Sequence, residues 1–146
     1  MPELPDDIYA SVVQFSEAGD RLAGQRLFAE ARDKYQKAWS LLPNPPYDWD
    51  AGFWLLTAIG DTYFLAGDYA NGRRFFMDAV KWYDHARGNP FIRMRLGECM
   101  YELGELEEAR NWLAGAYLLE GEVLFEHDHP KYLEFARRDL NPRSEQ

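Results

Sequence analysis

The stretches 53-FWLLTAIGDTYFLAGDYANGRRFFMDAV-80 and 90-PFIRMRLGECMYELGELEEARNWLAGAY-117 are one plan written twice. Laid over each other at an offset of 37 residues, Gly60 falls on Gly97, Gly67 on Gly104, Gly72 on Ala109 and Ala79 on Ala116. A fainter copy lies 41 residues upstream, where Gly19, Ala31 and Ala38 take the places of Gly60, Gly72 and Ala79. Self-similarity at a period of roughly 20 to 50 residues marks an array in which each copy is one supersecondary unit.

Within each copy the apolar residues have helical spacing. Trp54-Leu55-Leu56, Ile59-Gly60 and Tyr63-Phe64 form one stripe, Gly67-Asp68 breaks it, and Phe75-Phe76, Ala79-Val80 and Tyr83 form the next. Small residues at Gly60 and Gly97, and at Gly72 and Ala109, let two antiparallel helices approach closely. The spacing predicts seven helices, at about 6–23, 27–41, 49–66, 69–86, 90–103, 106–119 and 130–140, and no sheet. Pro and Gly in 43-PNPPYDWD-50 and 84-DHARGNP-90 mark the links. Asp128 followed by Pro130 reads as the start of the last helix, and Tyr132, Leu133, Phe135, Ala136 and Leu140 as its apolar face.

This spacing resembles the tetratricopeptide repeat, whose pattern runs W-x2-L-G-x2-Y, then A-x3-F, A and P. The matching residues are Phe15, Ala18, Gly19, Leu22, Ala31, Tyr35, Ala38 and Pro43 in the first copy, and Leu56, Ile59, Gly60, Tyr63, Gly72, Phe76 and Ala79 in the second. In the third they are Leu96, Gly97, Met100, Ala109, Leu113 and Ala116. Two departures stand out: the period is 37 to 41 instead of about 34, and the closing proline is missing from the second and third copies. The resemblance implies an all-α fold: three helix-turn-helix repeats, at about 6–43, 49–87 and 90–121, in a right-handed solenoid. A helix at about 130–140 closes the open end of that stack, within one domain spanning 1–146.

Composition agrees and narrows the function. With 47% apolar and 16% aromatic residues the chain can bury a core. Its apolar runs are too short to cross a bilayer, and the acidic start MPELPDD has neither the basic nor the apolar region of a signal peptide, so a cytoplasmic protein is expected. The net charge of −9 is concentrated at the ends: nine acids against five bases in 1–50, eleven against five in 101–146, and near balance between. Such a field repels nucleic acid and anionic lipid and favours a basic protein partner.

No residue pattern points to catalysis. The lone cysteine, Cys99, sits inside a helix with no histidine beside it and reads as a core residue. His127-Asp128-His129 beside Glu126 reads as a polar loop and helix cap before it reads as a metal site. Glu102, Glu105, Glu107 and Glu108 lie in a turn and a first helical turn, where acids suit the helix dipole. The expectation is a non-catalytic chain with no metal and no cofactor.

The resemblance also supplies candidate binding residues, because in that family the first helix of each repeat lines a concave groove. Those positions here are Val13, Ser16 and Asp20 in the first copy, and Trp54, Thr57, Asp61, Phe64 and Leu65 in the second. The third supplies Phe91, Met94, Arg95, Glu98, Tyr101 and Glu102. One position is acidic in all three copies (Asp20, Asp61, Glu98), which predicts an acidic, aromatic groove for a basic and partly apolar segment. Repeat domains of heat-shock co-chaperones instead hold a C-terminal carboxylate with Lys, Asn and Arg. Here those positions carry Ser16, Asp20, Ala58, Phe91 and Arg95, so only Arg95 agrees and an EEVD-like tail is not the expected ligand. The segments 53-FWLLTAIGDTYFLAGDY-69, 89-NPFIRMRLGECMYELGE-105 and 117-YLLEGEVLFEHDHPKYLEF-135 resemble small bacterial repeat proteins encoded beside polymorphic toxins. That resemblance implies an immunity protein that neutralises a basic toxin; a secretion chaperone and a general adaptor are the alternatives.

Overall fold

A computed structural model describes residues 3–138. Among them are seven α-helices and no strand. They are α1 (Asp6–Gly24), α2 (Phe28–Ser40), α3 (Asp50–Leu65), α4 (Tyr69–Trp82), α5 (Pro90–Glu102), α6 (Leu106–Glu120) and α7 (Pro130–Arg137). Short 3-10 turns occupy Pro46–Asp48, Asp84–Gly88 and Glu122–Phe125. The chain forms two compact units, one ending at Tyr83 and the other starting at Asp84. The first holds the pairs α1/α2 and α3/α4; the second holds α5/α6 and α7.

Each pair closes on the same contact. A methyl group built on Gly19 would lie 2.5 Å from the Tyr35 ring, one on Gly60 2.9 Å from Phe76, and one on Gly97 2.6 Å from Leu113. The second helix therefore drops a buried apolar side chain into the space a missing Cβ leaves in the first. Ala31 and Ala38, Ala79, and Ala109 and Ala116 flank those side chains with no solvent exposure, which keeps the backbones close. Cys99 lies wholly buried in α5.

The corner within each pair also repeats. Leu27 N–H donates to the Leu22 carbonyl, Asp68 N–H to Tyr63 and Glu105 N–H to Met100, at 2.8–2.9 Å. This six-to-one bond needs a left-handed residue just before it. Gly67 and Gly104 fill that place at φ +82, and in the first copy Arg26 fills it at φ +62. The guanidinium of Arg26 lies over the Phe28 ring at 5.2 Å, a contact that offsets part of the strain of a side chain in this conformation.

Two helix ends differ from the sequence expectation. The spacing carried the fourth helix to 86, but α4 stops at Trp82. Tyr83 turns to an extended conformation, packs edge-on against Phe53 at 5.6 Å and donates from its hydroxyl to the Trp49 carbonyl at 2.8 Å. Apolar burial of that ring outcompetes another helical turn. At the start of α7 the capping residue is His129, whose Nδ1 accepts from Lys131 N–H at 3.1 Å. Asp128, expected to cap, is drawn instead to Arg95. The helix runs to Arg137; Leu140, placed by the sequence on its apolar face, lies outside the described residues.

Candidate functional site

The fourteen positions assigned to a binding groove divide between the two units, eight in the first and six in the second. In the first unit, Asp20 on α1 is exposed, and its Oδ1 accepts the Tyr35 hydroxyl at 2.6 Å. Burial pushes the Tyr35 phenol well above its ordinary range, and the hydrogen bond to Asp20, its charge and that of Asp61 add to the effect. Asp61, half-buried on α3, thus joins Asp20 around one phenol. Trp54 is 64% exposed, its indole edge-on to Phe53 at 5.1 Å. Thr57 is half-buried and donates to the Phe53 carbonyl at 2.8 Å. Phe64, expected to face the groove, is buried against Tyr69, with ring centroids 5.7 Å apart.

The second unit corrects the expectation more strongly. Met94 is buried and Glu98 has no exposure at all. Glu98 Oε1 lies 2.9 Å from Arg95 Nη1, and that same nitrogen donates to Asp128 at 3.1 and 2.9 Å. Arg95, the one position matching the carboxylate-holding pattern, is itself buried and already engages two carboxyl groups of this chain. Its guanidinium also lies 5.0 Å from the centre of the half-buried Phe91 ring. Tyr101 packs against Tyr132 and Phe135 of α7, at 5.6 and 5.0 Å. Glu102 accepts the Tyr132 hydroxyl at 2.7 Å and pairs with Lys131. Burial opposes ionisation of Glu102, but the bonds from Lys131 and Tyr132 outweigh it and hold the carboxyl below its ordinary range.

Residues 128–135 therefore occupy the face of α5 that the repeat pattern marked for a partner. The sequence reading missed this because Asp128 is 33 residues from Arg95 and belongs to no repeat. An available signal was the aromatic and basic spacing of Lys131, Tyr132 and Phe135, which complements Tyr101 and Glu102.

A cleft of about 500 Å³ lies in the first unit between the starts of α1 and α3. Glu3, Leu4, Asp6, Tyr9, Trp49, Asp50 and Ala51 line it, none of them assigned to a site from the sequence. Among the described residues no group of three or more His, Cys, Asp or Glu side chains is placed to hold a metal ion. His127 is exposed and paired with Glu126, while His129 caps α7. No described helix is long and apolar enough to cross a membrane.

No family model and no curated protein matches the chain. Solved structures do. The first TPR of Spaghetti (RPAP3), bound to the HSP90 peptide SRMEEVD, superposes with a TM-score of 0.68 at 21% identity, over 92% of this chain and 94% of that one. The C-terminal TPR-containing domain of a Plasmodium falciparum protein described as an FK506-binding protein superposes with a TM-score of 0.70 at 18% identity, over 98% of this chain and 95% of the other. The three glycine-closed helix pairs and these superpositions agree: the fold is that of the tetratricopeptide-repeat solenoids.

Proposed function

We propose that the chain is a non-catalytic protein-binding module with a basic protein as its partner, and that it acts as a bacterial immunity protein that neutralises a toxin. The observation that carries the binding reading is Trp54, a large aromatic left 64% exposed on α3. Two helical turns further along the same face stands Asp61, which shares the Tyr35 hydroxyl region with Asp20. An exposed indole on the same helix face as a carboxylate suits a partner that brings cationic and apolar side chains together. The peptide bound by the Spaghetti domain is a precedent for this use of the fold. Net charge supports a basic partner, since −9 on 146 residues speeds encounter with a positively charged protein.

The test is paired capture from the source cell with the native chain and its Trp54→Ala variant. A basic protein held by the first and depleted from the second is expected, with the variant's affinity reduced about thirtyfold, the equivalent of roughly 2 kcal/mol for an aromatic anchor. The captured protein should be toxic when expressed alone and harmless beside the native chain. Equal capture by both baits removes Trp54 from the interface. A non-toxic exported partner replaces immunity with a secretion-chaperone role.

A further inference from the structure

The second unit contains a polar cluster that partner binding does not require. Glu98 and Asp128 share one nitrogen of Arg95, and all three side chains are largely withdrawn from water. Glu98 Oε2 is buried with no donor on it, and the Glu98 and Asp128 carboxyls are drawn together on the one Arg95 nitrogen, each with an oxygen 2.9 Å from it. Two carboxylates cannot satisfy each other. A carboxyl and a carboxylate can, if a single proton lies between them.

We propose that residues 126–137 form a latch over the face of α5, and that a proton held between Glu98 and Asp128 sets how firmly it is shut. Shut, the latch keeps Tyr101 and Glu102 covered by Tyr132, Phe135 and Lys131. Open, it presents an aromatic and acidic surface. The latch is a property of the chain by itself and does not depend on the identity of a partner.

Burial, then the Asp128 carboxyl, push Glu98 up to about 9 against the opposing charge of Arg95. The other charged groups around the latch include Glu102 and Lys131, paired with each other, Arg110 of α6 and Arg138 over the Phe135 ring, Arg137 paired with Glu122, His129 at the cap and the Glu126–His127 pair in the link. Shut protein keeps a proton that open protein, with Glu98 in water, gives up above the ordinary glutamate range. Raising the pH from about 5 to about 9 therefore favours opening by up to about tenfold per pH unit, and the effect levels off above that window.

Hydrogen exchange of the α7 amides in the intact chain reads the equilibrium. Protection factors, corrected for intrinsic exchange and referred to the amides of α3, should fall with pH in the native protein and stay level in Glu98→Gln, which keeps the shape but has no proton to lose. Asp128→Asn removes the competing carboxyl, leaves Glu98 to Arg95 alone, and should end the decline at a lower pH; it carries the test if Glu98→Gln does not fold. A native slope unchanged in the folded variants, or level protection in the native chain, overturns the latch.

Discussion

Gly60 has no Cβ, and the ring of Phe76 takes up the space where one would be. Gly60→Leu must therefore push α3 and α4 apart or drive Phe76 out of its rotamer, at about 1–3 kcal/mol or more. Gly24 is the proper comparison, because nothing lies within 4 Å of its Cβ position and its φ is ordinary; Gly121 is not, since its φ of +77 strains any side chain. Urea denaturation of the two leucine variants should give a clearly lower midpoint for Gly60→Leu than for Gly24→Leu, and equal midpoints would place Gly60 away from a close contact. This contact was legible in the sequence because small residues returned at a fixed offset. Glu98 was not, because the same periodicity that aligned it with Asp20 and Asp61 says nothing about what later folds over it. Whether an acid at a repeat position meets solvent depends on residues outside the repeat, here Asp128 and the first turns of α7.

Apart from the end of the last helix, expected at 140 outside the described residues, helix positions were legible to within one or two residues except where a side chain had a better use than extending the helix. Tyr83 ends α4 to reach Trp49 and Phe53, and Asp128 leaves the capping place to His129 to reach Arg95. Gly67-Asp68, read from the sequence as a break between helices, also supplies the start of α4: Asp68 accepts from the Asn71 backbone at 3.2 Å and from its side chain at 2.7 Å. Those hydrogen bonds, outweighing a small burial effect, hold the Asp68 carboxyl below its ordinary range. A depressed carboxyl contributes stability above the unfolded-state pKa and loses it as pH falls through the folded value. Asp68→Ala should thus cost about 1 kcal/mol at neutral pH, and the gap between variant and native chain should narrow toward zero in acid. A gap that persists unchanged in acid would assign the loss to packing instead of the cap.

For the molecule as a whole, charge is the property the sequence states most plainly and the fold alters least. If a net −9 steers a basic partner, association rates should fall by about tenfold or more as salt is raised, while dissociation changes little. Stopped-flow mixing at several ionic strengths separates the two, and a salt-independent association rate would leave apolar contact as the recognition. The three-pair plan was legible because every copy obeys one spacing; the covering of α5 was not, since α7 follows no such rule and its contacts are made by side chains far apart in the chain. The burial of Cys99 has a separate consequence. As the sole thiol of the chain, and one that solvent does not touch, it reacts with a thiol reagent only when α5 is uncovered. The rate at which it is labelled is then a clock for breathing of that helix, built into the native protein without any added probe.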